Sequence, residues 1–126
     1  MLSPDSQQML SRFQAERQQL EAQVTQANPD TQQLQVNFLK LQQRFQQQIL
    51  PLRDNSLSVA AQTQLQAYQT EMNRLMRLLA VDISFLQTVR QSIKQQQRQA
   101  QIQQRLGSLG QFCEALLTGH SSRDGG

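Results

Sequence analysis

Cysteine, histidine, proline and glycine are scarce in this chain. Among 126 residues there is one Cys, one His, three Pro and five Gly, and aromatic residues make up 5%. A lone Cys113 excludes an internal disulfide, and its place on an apolar helical stripe makes it a small buried hydrophobe. His120, near the C-terminus, has no ligand or base partner at helical spacing. Four Glu in all and no Glu-x-x-His pair exclude a di-metal carboxylate bundle. There is also no phosphate-binding loop, no nucleophile elbow and no Cys/His cluster. These absences argue against an enzyme and against a bound cofactor or metal. No stretch approaches the roughly 18 apolar residues of a membrane span, and the N-terminus MLSPDSQQML lacks the pattern of a signal peptide. The expected location is cytoplasmic, with no membrane contact.

What is abundant is glutamine: 29 residues, about 23% of the chain. With so few turn formers and β-branched residues, this composition favours helix over sheet. A single domain of this length buries roughly two-thirds of the surface its unfolded chain exposes, enough for a real core.

Charge is unevenly placed. The formal charge is +3, with a pI near 9.8. Residues 1–55 carry five basic and five acidic groups, whereas residues 83–113 contain Arg90, Lys94, Arg98 and Arg105 and no acid. Such a segment attracts an acidic partner.

Apolar spacing divides the chain into helices. Ser3 followed by Pro4 is a helix start, and Leu10, Phe13, Leu20, Val24 and Ala27 then recur at helical intervals up to Asn28-Pro29. Asp30 caps a second helix, with Leu34, Phe38, Leu41, Phe45 and Ile49 on one face before Pro51. PLRDNS at residues 51–56 is the best loop. Beyond it Ala61, Leu65, Tyr68, Met72, Leu75, Leu79, Asp82, Leu86, Val89 and Ile93 alternate in steps of four and three. A fourth helix carries Ile102, Leu106, Leu109, Cys113 and Leu116. The expected architecture is an all-α antiparallel bundle of about four helices with a long third one. Its helices are placed at residues 4–28, 31–50, 57–92 and 96–118, in a bundle of residues 1–118 followed by a disordered tail at 119–126.

A third helix of 35 residues would be roughly 50 Å long against roughly 30 Å for the second. It therefore bends or breaks near Ser84, projects beyond its neighbours, or is covered by a second subunit. Gly107 and Gly110 lie inside the fourth helix, each at a cost of about 1 kcal/mol relative to Ala unless another helix approaches closely there.

Two charges interrupt the seams. Asp82 falls between Leu79, Phe85 and Leu86, where an unpaired carboxylate is costly to desolvate, and its own helix offers no countercharge. Arg17 interrupts the seam of the first helix. An Arg17–Asp82 ion pair fixing helix register is the expectation, with a wet edge or subunit interface for Asp82 as the alternative. Around Asp82, residues 75–86 (LMRLLAVDISFL) are apolar nearly all round, as suits a helix at the centre of a bundle or at an interface.

Residues 68–91 (YQTEMNRLMRLLAVDISFLQTVRQ) and 105–117 (RLGSLGQFCEALL) together resemble the PatD family of cyanobacterial heterocyst-frequency control proteins. That resemblance covers about 37 of 126 residues, all in the second half. It implies a small cytoplasmic regulator of cell differentiation without enzyme activity, with the division protein FtsZ as its protein partner. The portion from Arg77 to Asp82 is the most family-like, whereas Gly107 and Gly110 depart from the pattern. Arg74, Arg77, Arg90, Lys94 and Arg98 form the candidate protein-binding surface. A self-associating helical protein, as a homodimer, is the second reading. A weak nucleic-acid binder is the third, disfavoured because no aromatic residues interleave the cations.

Overall fold

The computed structural model describes residues 2–119. Residues 120–126 of the expected tail, His120 among them, lie outside the described residues. Four α-helices make up the described chain, with no strand: α1 Pro4–Val24, α2 Thr31–Arg44, α3 Val59–Leu86 and α4 Ser92–Thr118. A π-helical turn, Phe45–Ile49, continues α2.

Three of the four helix starts are written locally. Ser3 Oγ accepts from the Ser6 amide with Pro4 in the first turn, Asp30 Oδ1 accepts from Gln33 N, and Ser58 Oγ accepts from Ala61 N. The fourth has no side-chain cap, since Gln91 stands in that position. At its other end α4 closes on Gly119, whose φ of +76° is the left-handed conformation that favours glycine.

The π turn answers the apolar spacing of α2. Phe38, Leu41, Phe45 and Ile49 step by three, four and four, and two successive steps of four precess around an α-helix. The Leu50 amide donates to Phe45 O at 2.8 Å, an i→i+5 bond that unwinds one turn and keeps both Phe45 and Ile49 buried.

Each helix packs against its chain neighbours, and α4 returns to pack on α1, closing an up-down-up-down square. The core runs along its axis through Leu10, Phe13, Leu20, Phe45, Met72, Leu79, Ile102 and Leu109, with the Phe13 and Phe45 rings 5.8 Å apart.

The long third helix is shorter than its periodicity suggests. It ends at Leu86, and residues 87–91 form the turn into α4, so α3 and α4 have 28 and 27 residues and match in length. The helix ends two residues beyond Ser84, where a break was one of the three expectations, and α3 still outlasts the 14 residues of α2 and the 5 of its π turn. The Gln87 amide bonds Ser84 O, the Thr88 and Val89 amides bond Phe85 O, and Gln87 Nε2 reaches Thr31 O across the bundle at 2.7 Å. The apolar pattern runs on to Val89 and Ile93, but Ile93 belongs to the first turn of α4 and is 69% exposed. In the same way α1 ends at Val24, four residues earlier than Asn28-Pro29 implies.

Glutamine is not all solvated surface. Gln99 Nε2 donates to Val24 O and Gln26 O at the end of α1, and Gln69 Nε2 donates to Ile49 O and Leu52 O at the end of the π turn. Both side chains are buried and satisfy carbonyls that a helix C-terminus leaves open.

Asp54 ties the N-terminus to the loop before α3. Its carboxylate accepts from Ser56 Oγ at 2.6 Å, Ser3 N at 2.7 Å and Ser56 N at 3.0 Å. These bonds, that of the Ser56 hydroxyl foremost, hold its pKa well below the ordinary carboxylate value. A depressed folded-state pKa gives stability that is fully present above the unfolded value near 4 and is lost as pH falls below it. The urea midpoint is therefore expected to stay flat from pH 7 to about 4.5 and to decline at lower pH. An Asp54→Asn variant is expected to start lower and to lose part of that acid slope.

Candidate functional site

The two charges that interrupt the seams do not meet. Asp82 is wholly buried at 0% exposure, and its carboxylate is held by two arginines of α4: Arg98 Nη1 at 2.8 Å on one oxygen and Arg105 Nη1 on the other. Arg17 faces a different flank of α4. Its Nε donates to Gln14 Oε1 at 2.7 Å, and its Nη1 donates to Glu21 Oε1 at 2.6 Å and to Leu106 O at 3.0 Å. The expected Arg17–Asp82 pair is therefore corrected. The charge of Asp82 is answered from α4, whereas that of Arg17 is answered by Glu21 on its own helix, with α4 adding only the Leu106 carbonyl. The wet-edge alternative for Asp82 fails too, because no water-facing surface remains on it.

Hairpin geometry explains the pairing. With the turn centred near residue 90, Asp82 and Arg98 stand equally far to either side, as do Tyr68 and Phe112, whose rings lie 5.1 Å apart. Arg105 follows Arg98 by seven residues and returns to the same face of α4. Sequence reasoning missed Arg105 as a partner of Asp82. The i,i+7 pair of arginines in the acid-free stretch of residues 92–113 was the available signal.

Gly110 is explained by Arg17. A Cβ placed there would sit 2.7 Å from Arg17 Cζ, so the absent side chain makes room for a buried guanidinium. Gln14 Nε2 also reaches Gly110 O at 3.3 Å. Gly107 meets nothing within 4 Å and has no such role.

Around the Asp82 pair the surface is cationic. Arg77, Arg90 and Lys94 are exposed, and Arg74 is exposed while bonding Glu71 one turn away at 3.2 Å. Arg98, expected on the open surface, is only partly so: its side chain is 27% exposed, reaches in to Asp82, and lies over the Phe85 ring at 4.1 Å from the centroid. A shallow groove between the end of α3 and the start of α4 is lined by Phe85, Lys94, Gln97, Arg98 and Gln101. Beside it stands Val81, 63% exposed. The apolar middle of α3 is otherwise absorbed by the monomer, where Leu75, Met76, Leu79, Ile83 and Leu86 are all buried.

Burial pushes the Cys113 thiol up to about 12, which keeps it protonated at neutral pH and so a poor nucleophile. Among the described residues, no group of three His, Cys, Asp or Glu could hold a metal ion, and no helix is long and apolar enough to cross a membrane. The chain matches no family model, and no curated protein or solved structure matches it significantly.

Proposed function

We propose that this chain is a non-enzymatic cytoplasmic regulatory protein that works by binding another protein through its α3–α4 hairpin. The observation that carries the proposal is the concentration of unspent positive charge and exposed apolar side chains on that hairpin. Arg77, Arg90 and Lys94 stand exposed beside Val81, Phe85 and Ile93, and residues 83–113 contain no acid. Both stretches that resemble the PatD family lie on α3, the turn and α4. On that resemblance the regulated process is heterocyst frequency in a cyanobacterial filament, and the partner is FtsZ.

Co-sedimentation of the purified chain with nucleotide-assembled FtsZ filaments tests this directly. The chain is expected in the pellet only when filaments form; a chain that stays in the supernatant at every filament concentration removes FtsZ as the partner. Exposed Val81 and Ile93 also favour a second reading, self-association as a homodimer. Light scattering on the purified chain separates the two, because a monomer that pellets with filaments supports the first alone.

A further inference from the structure

We propose that the groove between α3 and α4 is a docking site for an acidic peptide segment bearing apolar anchors, and that buried Asp82 positions two of the arginines that receive it. This rests on the reading of the chain as a protein-binding module and names the chemistry of the bound segment.

Lys94 and Arg98 line the groove together with Phe85. Arg74 and Arg77 lie farther back along α3, and Arg105 farther along α4, on the same two helices. Between residues 71 and 105 there are six cations and two acids. One of those acids, Asp82, is buried and committed to Arg98 and Arg105; the other, Glu71, lies at the far end beside Arg74. Arg98 and Arg105 thus share one buried carboxylate, while Lys94 at the groove and Arg77 on α3 are exposed cations with no ion pair among the described residues.

Asp82 does more than balance charge. It holds each guanidinium through one Nη1, at side-chain exposures of 27% for Arg98 and 21% for Arg105, which leaves other N–H donors of both forks directed elsewhere. Arginines fixed in this way lose less rotamer freedom when they meet a carboxylate than free surface side chains do. Gln99 meets the last carbonyls of α1, and residues 92–98, which precede it on α4, are mostly exposed.

Three observations select a peptide over the other occupants. Exposed Val81 and Ile93 offer aliphatic contact that a phosphate backbone does not use. The single aromatic of the groove, Phe85, already has Arg98 on its face, so a nucleic-acid base has no open ring on which to stack. A second copy docked about a two-fold axis would bring the same cations face to face.

The test uses three fluorescent probes: a 16-residue amphipathic peptide of Glu and Leu, the same peptide with every Leu replaced by Gln, and a dT16 oligonucleotide. The Glu/Leu peptide is expected to bind, more weakly as salt rises, and about tenfold tighter than its Gln counterpart. An Arg77→Glu/Lys94→Glu variant is expected to lose about tenfold or more in affinity with an unchanged melting temperature, since neither residue makes an ion pair among the described residues. Arg12→Glu/Lys40→Glu carries the same change in net charge on exposed positions of α1 and α2 and is expected to bind as the wild type does.

Equal losses in the two double variants would reduce the effect to net charge and overturn the site. So would dT16 binding as tightly as the Glu/Leu peptide, no measurable binding of that peptide, or a dimer that dissociates in Arg77→Glu/Lys94→Glu. The two proposals fail separately. Peptide binding without FtsZ pelleting removes FtsZ and leaves the groove, whereas equal FtsZ pelleting by wild type and Arg77→Glu/Lys94→Glu removes the groove and leaves FtsZ.

Discussion

Replacing Asp82 with Ala is expected to destabilise the bundle by about 3 kcal/mol or more, read as a fall in the urea midpoint at unchanged slope. The carboxylate is fully buried and receives charged donors from two arginines, so its loss strands both cations against an apolar α3–α4 seam. Their partial exposure lets each swing toward water, which places the cost toward the lower end of the range for broken buried pairs. A double-mutant cycle locates the interaction. Arg105→Ala is expected to couple to Asp82→Ala by about 1–3 kcal/mol, as neighbours in one ion-pair network do. Arg17→Ala is expected to add to Asp82→Ala almost without coupling, because the two charges share no partner atom. Strong coupling of Arg17 to Asp82, or exchange of their charges restoring stability, would contradict the arrangement seen here.

The second large effect separates two glycines three residues apart. Gly110→Ala places a methyl group 2.7 Å from Arg17 Cζ, and the guanidinium cannot move without breaking its bonds to Gln14, Glu21 and Leu106 O. Overpacking of this kind costs about 1–3 kcal/mol, against a helix-propensity gain of up to about 1 kcal/mol. The net expectation is a destabilised protein. Gly107→Ala meets open space and keeps the propensity gain, so it is expected to stabilise by about 0.5–1 kcal/mol. Truncating Arg17 to Ala, costly in itself, should turn Gly110→Ala from harmful to neutral or favourable. Thermal or urea melts of the three single variants and the double variant check the set. A Gly110→Ala protein as stable as Gly107→Ala would show that Arg17 does not pack there.

Much of the bundle is legible from local pattern because its causes are local. Ser3-Pro4 and Asp30 each announce a helix through a side chain that bonds an amide three residues on, and Ser58 caps α3 in the same way just after the expected loop. The steps of three and four in α2, α3 and α4 mark the faces that become core, and Cys113 lies buried on the expected stripe. The end of α3 was hidden for an equally physical reason. Residues 87–91 hold no Gly or Pro, and the apolar pattern passes through them, so periodicity alone extends the helix to residue 92. Displacing the turn by several residues shifts the register of α4 against α3. Asp82 and Arg17 each stand out along their own helix, but spacing within a helix does not tell which helix faces which.

The sequence by itself determined the helical class, three helix starts, the core faces and the oddity of Asp82, Arg17 and Gly110. All follow from spacing along one helix and from the cost of burying charge. Only the tertiary structure decided which charges meet, which glycine makes room for another side chain, and which glutamines are buried as caps on other helices. Those choices depend on the register between helices, which the length of the turn at residues 87–91 and the closure of α4 onto α1 set together.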